Sequence, residues 1–196
     1  GLTHSGYYAG MLLSSFVCQA IVERIGHARS FVLASTLIAF SMLFMGFFGD
    51  QWNWMAMRCL AGGCMGLIYI VVESWLLACS SVVNRGQILA LYTVALYTAQ
   101  AFGQYFIDFI PANDNFPCLV AAMLTLLGIL PYLLETRSVN ANSESEDTSW
   151  LEITLQAPYG VIGSAISGVI LGSIYSFAPL FAEEFNLSTS MLMSVT

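Results

Sequence analysis

The sequence predicts an all-α polytopic membrane protein, and three observations carry that prediction. Of its 196 residues, 58% are hydrophobic and 9% charged, with a mean hydropathy of +0.76, which leaves too little polar surface for a water-soluble globule of this size. Six predominantly apolar runs reach the ~17–25 residues that cross a hydrocarbon core as a helix, and they lack the two-residue alternation of barrel strands. Lysine is absent, and four of the five arginines, Arg24, Arg29, Arg85 and Arg137, fall in alternate gaps between those runs. Gaps 23–30, 80–87 and 135–152 carry arginine, whereas 50–53, 111–115 and 183–187 carry none, so the arginine-bearing face is assigned to the cytoplasm.

Run 6–22 opens the series and carries Gly6, Gly10, Ser14 and Cys18 in steps of four, the spacing that lets helix backbones approach in lipid. Run 31–48 is apolar around its circumference apart from Ser35, Thr36 and Ser41, and reads as lipid-facing scaffold. Run 54–78 is the most informative. At 100° per residue Arg58, Gly62, Gly66, Tyr69 and Glu73 fall within about 80° of one another, forming one polar stripe. Arg58 and Glu73 are separated by roughly 22 Å of helical rise, so each needs its own partner. A charge at the centre of a span costs about 2.5–3.5 kcal/mol, less near an interface. Glu73 lies toward the arginine-bearing face, within expected reach of Arg24 and Arg29, as a static ion pair or as a gate.

Run 88–110 presents Tyr97, Gln100, Gln104 and Asp108 on one side, facing either solute or neighbouring helices, and also a small-residue series, Ala95, Ala99 and Gly103. Run 116–134, with Thr125 as a polar exception, reads as a second lipid-facing scaffold. Residues 135–153 follow as a solvated acidic linker containing Glu144, Glu146 and Asp147 among Ser and Asn, the main source of the net charge of −7. Run 154–182 carries Gly160, Ser164, Gly168, Gly172 and Ser176, again in steps of four. Static packing and sliding both account for these series.

Several function classes lose their chemical basis. Cys18, Cys59, Cys64, Cys79 and Cys118 form no CxxC pair, and HExxH is absent, so no metal, cofactor or disulfide framework is expected. Without lysine or a basic cluster, nucleic-acid binding has no electrostatic support. His4 and His27 lie outside or at the ends of the runs, so an embedded enzyme lacks a partnered base at membrane depth. A non-transporting sensor or membrane-embedded enzyme stands as the alternative to a transporter.

At 19–29 the chain reads QAIVERIGHAR, which resembles the major facilitator superfamily loop motif GxxxD(R/K)xGRxx(R/K). Glu23 stands at the motif's Asp, Arg24 and Gly26 match, Arg29 supplies a later base, and Gln19 and His27 depart from it. Arg58 with Gly62, in RCLAGGCMG, is similar to the fourth-helix motif RxxxG, a position associated in that family with proton coupling. The strings RIGHARSF, VVESWL and NRGQILALYT resemble the YcaD-like branch of bacterial transporters. The resemblance implies a partial fold: helices two to seven of twelve, from two six-helix halves, truncated at both ends. The echo between 2–5 and 187–190 agrees with that reading.

On this resemblance residues 1–134 are the N-terminal transmembrane half without its first helix, 135–153 the cytoplasmic linker between halves, and 154–196 the start of the C-terminal half. It implies alternating-access transport of a small-molecule solute, coupled to protons, by a monomer in the lipid bilayer of a bacterial inner membrane. Glu23, Arg24, Gly26, Arg29 and Glu73 are expected to gate, and Arg58 and Gly62 to serve proton coupling or cavity charge. Tyr69, Tyr97, Gln100, Gln104 and Asp108 are the expected solute pathway. The fifth-helix antiporter signature GPxxGG is absent, since 97–104 reads YTAQAFGQ, which removes local support for drug–proton exchange.

Overall fold

The computed structural model describes residues 2–48, 50–81, 83–107, 115–130 and 158–184, and the regular elements among them are all α-helical. They are α1 (Leu2–Ile25), α2 (His27–Phe47), α3 (Gln51–Cys79), α4 (Arg85–Ile107), α5 (Phe116–Leu127) and α6 (Pro158–Glu184). These helices occupy the six apolar runs in order. Among the described residues, three stretches are long and apolar enough to cross a membrane: Ser5–Ile25, His27–Phe47 and Gln51–Cys79.

α1 and α2 are separated by Gly26 alone, at φ 83° and ψ 161°, a conformation that a side chain would strain. Its N–H donates to the Val22 carbonyl at 2.8 Å, and its own carbonyl accepts from the Ser30 N–H at 3.0 Å and the Ser30 hydroxyl at 2.8 Å. The chain thus reverses in one residue while its backbone groups stay bonded.

Despite this short link, α1 packs far more extensively on α3 than on α2. Gly6 faces Met55, Gly10 faces the Cys59 carbonyl, and Gly66 faces Ser14, so positions rise together along both helices and the pair runs parallel. At Gly10 and at Gly62, which meets the Tyr7 carbonyl, a Cβ would overlap backbone atoms of the opposing helix. Beside this seam Cys18, Ala34, Ile38, Cys64, Leu67 and Val71 form a buried cluster drawn from α1, α2 and α3.

α2 is not the lipid-facing scaffold its composition suggests. It packs against both α3 and α5, burying Ser30, Ala34, Ser35, Ile38, Ala39, Ser41 and Met45, while Leu33, Phe40 and Phe47 remain exposed on its other side. The buried face consists mostly of small residues, Ser30, Ala34, Ser35, Ala39 and Ser41, whereas the exposed side carries bulky apolar ones. Ser41 donates to the Ile38 carbonyl at 2.7 Å within its own helix, so it can be fully buried without a partner from another element.

Within the fifth run, 116–134, α5 closes at Leu127, where the Gly128 N–H turns to both the Leu124 and Leu126 carbonyls and the Ile129 N–H bonds the Leu126 carbonyl at 3.1 Å, and Leu130 is helical again beyond this turn. Glycine is a poor helix former, and the tightened bonds convert the end of the helix into a turn. Residues 131–134 lie outside the described residues.

Candidate functional site

α3 positions the polar stripe. Its N-terminal half is fixed against α1 by Gly62 and Gly66, which places Arg58, one turn before Gly62, beside Tyr7. Arg58 is half-buried and close enough to Tyr7 to interact electrostatically. Tyr69, also half-buried, interacts in the same way with Tyr7 of α1 and Tyr92 of α4, and Tyr92 in turn with Glu73. A line of polar groups, Arg58, Tyr7, Tyr69, Tyr92 and Glu73, therefore runs along α3 with contributions from α1 and α4.

Sequence reasoning singled out three members of that line and missed Tyr7 and Tyr92. Tyr7 was legible only through its place between Gly6 and Gly10 in the small-residue series; Tyr92 offered no spacing signal. Gly62 is where α1 and α3 touch, a packing role that keeps Arg58 at the helix pair. Tyr97 and Gln100 are exposed on α4. Gln104 belongs to the same helix, its side chain lying outside what is described, and Asp108 lies outside the described residues altogether.

The loop residues gather at the end of α1. Glu23, Arg24 and Arg29 are exposed around Gly26, and the Gln19 amide donates to the Glu23 carboxylate at 3.0 Å across one helical turn. Gln19, a departure from the loop pattern, is thus bonded to Glu23, which stands at the pattern's Asp. Among the described residues no ion pair joins Glu73 to Arg24 or Arg29; its electrostatic neighbour is Tyr92.

A separate groove of about 500 Å³ lies between α1, α2 and α3, bordered by Gly10, Ser14, Cys18, Leu37, Cys59 and Cys64. Its walls are apolar, and none of the residues expected to contact solute lines it. Among the described residues, no group of three or more His, Cys, Asp or Glu is placed to hold a metal ion.

The family model described as Major Facilitator Superfamily matches residues 1–196, a transporter family and not an enzyme family. The chain is 34% identical over 195 residues to the uncharacterized MFS-type transporter YcaD of Escherichia coli O139:H28 (strain E24377A / ETEC), and equally so to that of Shigella sonnei (strain Ss046). Against YcaD of Escherichia coli (strain K12 / DH10B) the identity is 35% over 196 residues. Each alignment covers 98% of this chain and 51% of the relative, so the chain spans about half the length of the curated relatives it matches. No solved structure matches it.

Proposed function

Because the chain belongs to the Major Facilitator Superfamily, we propose that the protein is a secondary active transporter that moves a small solute by alternating access and couples that movement to protons. The observation that carries this reading is the polar line on α3. A helix of spanning length holds Arg58 near one end and Glu73 near the other, with tyrosines from three helices between them. Polar and charged groups at membrane depth are costly and are usually retained where they face a protein interior or a water-filled path.

Within this reading, 1–134 belong to the N-terminal half, 135–153 form the cytoplasmic link, and 154–196 begin the C-terminal half. Arg58 serves proton coupling or cavity charge. Tyr69, with Tyr97, Gln100, Gln104 and Asp108 of the fourth described helix and its continuation, contacts solute. The protein works as a monomer in a bacterial inner membrane, a setting supported by its similarity to proteins of Escherichia and Shigella.

Glu23, Arg24, Gly26 and Arg29, together with Glu73, latch one state. The single-residue reversal at Gly26 and the bond from Gln19 to Glu23 support this, because both limit the orientations available to the loop charges. Solute flux by the intact protein in proteoliposomes, with and without an imposed pH gradient, tests the reading. Gradient-dependent flux that loses its proton dependence in Arg58→Ala is expected. Absence of flux across a broad solute panel from a folded sample contradicts transport, and full proton dependence in Arg58→Ala contradicts the role given to Arg58.

A further inference from the structure

α1 and α2 leave the Gly26 turn together and then separate, because α1 leans on α3 while α2 packs on α3 and α5. α3 forms the floor of the groove between them. The groove walls are apolar, and their one hydroxyl, on Ser14, already donates to the Met11 carbonyl at 2.8 Å. An occupant therefore gains apolar burial and dispersion contacts there rather than hydrogen bonds. Leu13, Val17 and Leu33 line the groove yet are 61%, 53% and 45% exposed, so it is open at the side, where a spanning bundle meets lipid.

Its length and its ends narrow the occupant. From Gly10 to Ile21 the groove follows α1 for about 16 Å of rise, close to one leaflet of a hydrocarbon core roughly 30 Å thick. At the end nearest the Gly26 turn, Ile21 is followed one helical turn later by Arg24, and Leu33 is preceded one turn earlier by Arg29. Both arginines are exposed, and among the described residues neither is ion-paired. Glu23, beside them, accepts instead from the Gln19 amide at 3.0 Å.

We propose that the groove holds one acyl chain of an anionic membrane phospholipid, whose phosphate sits at Arg24 and Arg29. In a chain without lysine and with a net charge of −7, two guanidiniums at one turn make a local positive site, and lipid phosphate is the counter-charge a bilayer supplies there. A zwitterionic headgroup brings the same phosphate with a cation attached, so it is held less tightly. The proposal needs only that these helices span a bilayer, not that they transport. Because Arg24 and Arg29 also belong to the proposed latch, binding is read directly rather than through flux.

The intact protein, with Cys59 as its only cysteine, is reacted with N-ethylmaleimide in detergent, since Cys59 lines the far part of the groove. Retained lipid is counted by native mass spectrometry. Dioleoylphosphatidylglycerol is expected to slow labelling of Cys59 and to be retained about 10-fold more tightly than dioleoylphosphatidylcholine. Dihexanoylphosphatidylglycerol, with the same headgroup and chains too short to reach Cys59, leaves labelling unchanged. Arg24→Gln and Arg29→Gln each weaken phosphatidylglycerol retention about 5-fold, the scale of one basic residue at an anionic lipid surface. The labelling test needs neither variant, so it stands if one of them does not fold.

Equal retention of the two dioleoyl lipids overturns the proposal, as does unchanged phosphatidylglycerol retention in both arginine variants. Cys59 labelling that dioleoylphosphatidylglycerol does not slow places the lipid outside the groove and overturns it too. Equal protection by the dihexanoyl lipid removes the acyl chain from the account. A Cys59 that is unreactive in folded, lipid-free protein means that another segment of the protein fills the groove, which excludes the lipid.

Discussion

α1 and α6 carry the same small-residue spacing, yet the two helices use it differently. Along α1 every step meets a neighbour: Gly6 faces Met55, Gly10 the Cys59 backbone and Ser14 the Gly66 position. Along α6, Gly168 and Gly172 have open space where a Cβ would stand, and the described side chains from 162 to 171 are exposed. Gly103, in the comparable series on α4, is equally open. Small residues permit close approach but do not select a partner. α1 has one because α3 supplies its own glycines, Gly62, Gly63 and Gly66, at the matching height.

The largest expected effect lies in that seam. Gly10→Val or Gly62→Val forces two backbones apart and is expected to cost about 3 kcal/mol or more, at the upper end of overpacking penalties, read as a lowered unfolding midpoint in detergent. Gly172→Ala, by contrast, is expected to be neutral or stabilising by about 0.5–1 kcal/mol through helix propensity alone. A comparable loss at both positions breaks the comparison and assigns α6 a tight neighbour of its own.

Gly26→Ala comes next. The positive φ rather than any contact is the obstacle, since nothing lies within 4 Å of the position a Cβ would take, and a penalty of about 1–3 kcal/mol is expected for the strained backbone. An unchanged midpoint would show that the α1–α2 turn relaxes to another geometry at no cost. The smallest effect is expected at Ser41→Ala. Although the residue is fully buried, its hydroxyl bonds within α2, so the change is expected to stay within about 1 kcal/mol by the same midpoint assay. A larger loss means that Ser41 bonds across a helix interface.

These contrasts indicate what a sequence of this kind discloses. The order of the helices among the described residues was legible because spanning length and arginine placement act segment by segment, and each of the six runs contains a described helix. Helix pairing was not, because the partner of α1 depends on two glycine series in different segments meeting at one height. The interior role of α2 was hidden for a related reason: Ala34, Ala39 and Ser41 are small enough to be buried between helices, but smallness alone does not name the helix that covers them.

At the candidate site, charge and periodicity on α3 were enough to single out Arg58, Tyr69 and Glu73. Tyr7 and Tyr92 required coordinates, since they lie on α1 and α4 and join the α3 stripe only through the way the helices pack. The Gln19 to Glu23 bond shows a further limit. The departure at Gln19 looks like a simple loss until its side chain is found bonded to Glu23, the residue at the pattern's Asp.

The central claim is that the polar line on α3 faces a water-filled path open to each side of the membrane in turn. In the intact protein with Cys18, Cys59, Cys64, Cys79 and Cys118 replaced, Tyr69→Cys can be challenged with a membrane-impermeant thiol reagent from either side, with exposed Phe40→Cys on α2 as a lipid-facing control. The account predicts labelling of position 69 from both sides and none at position 40. A cysteine at 69 that is unreactive from both sides, or reactive from one side under every condition, would contradict it.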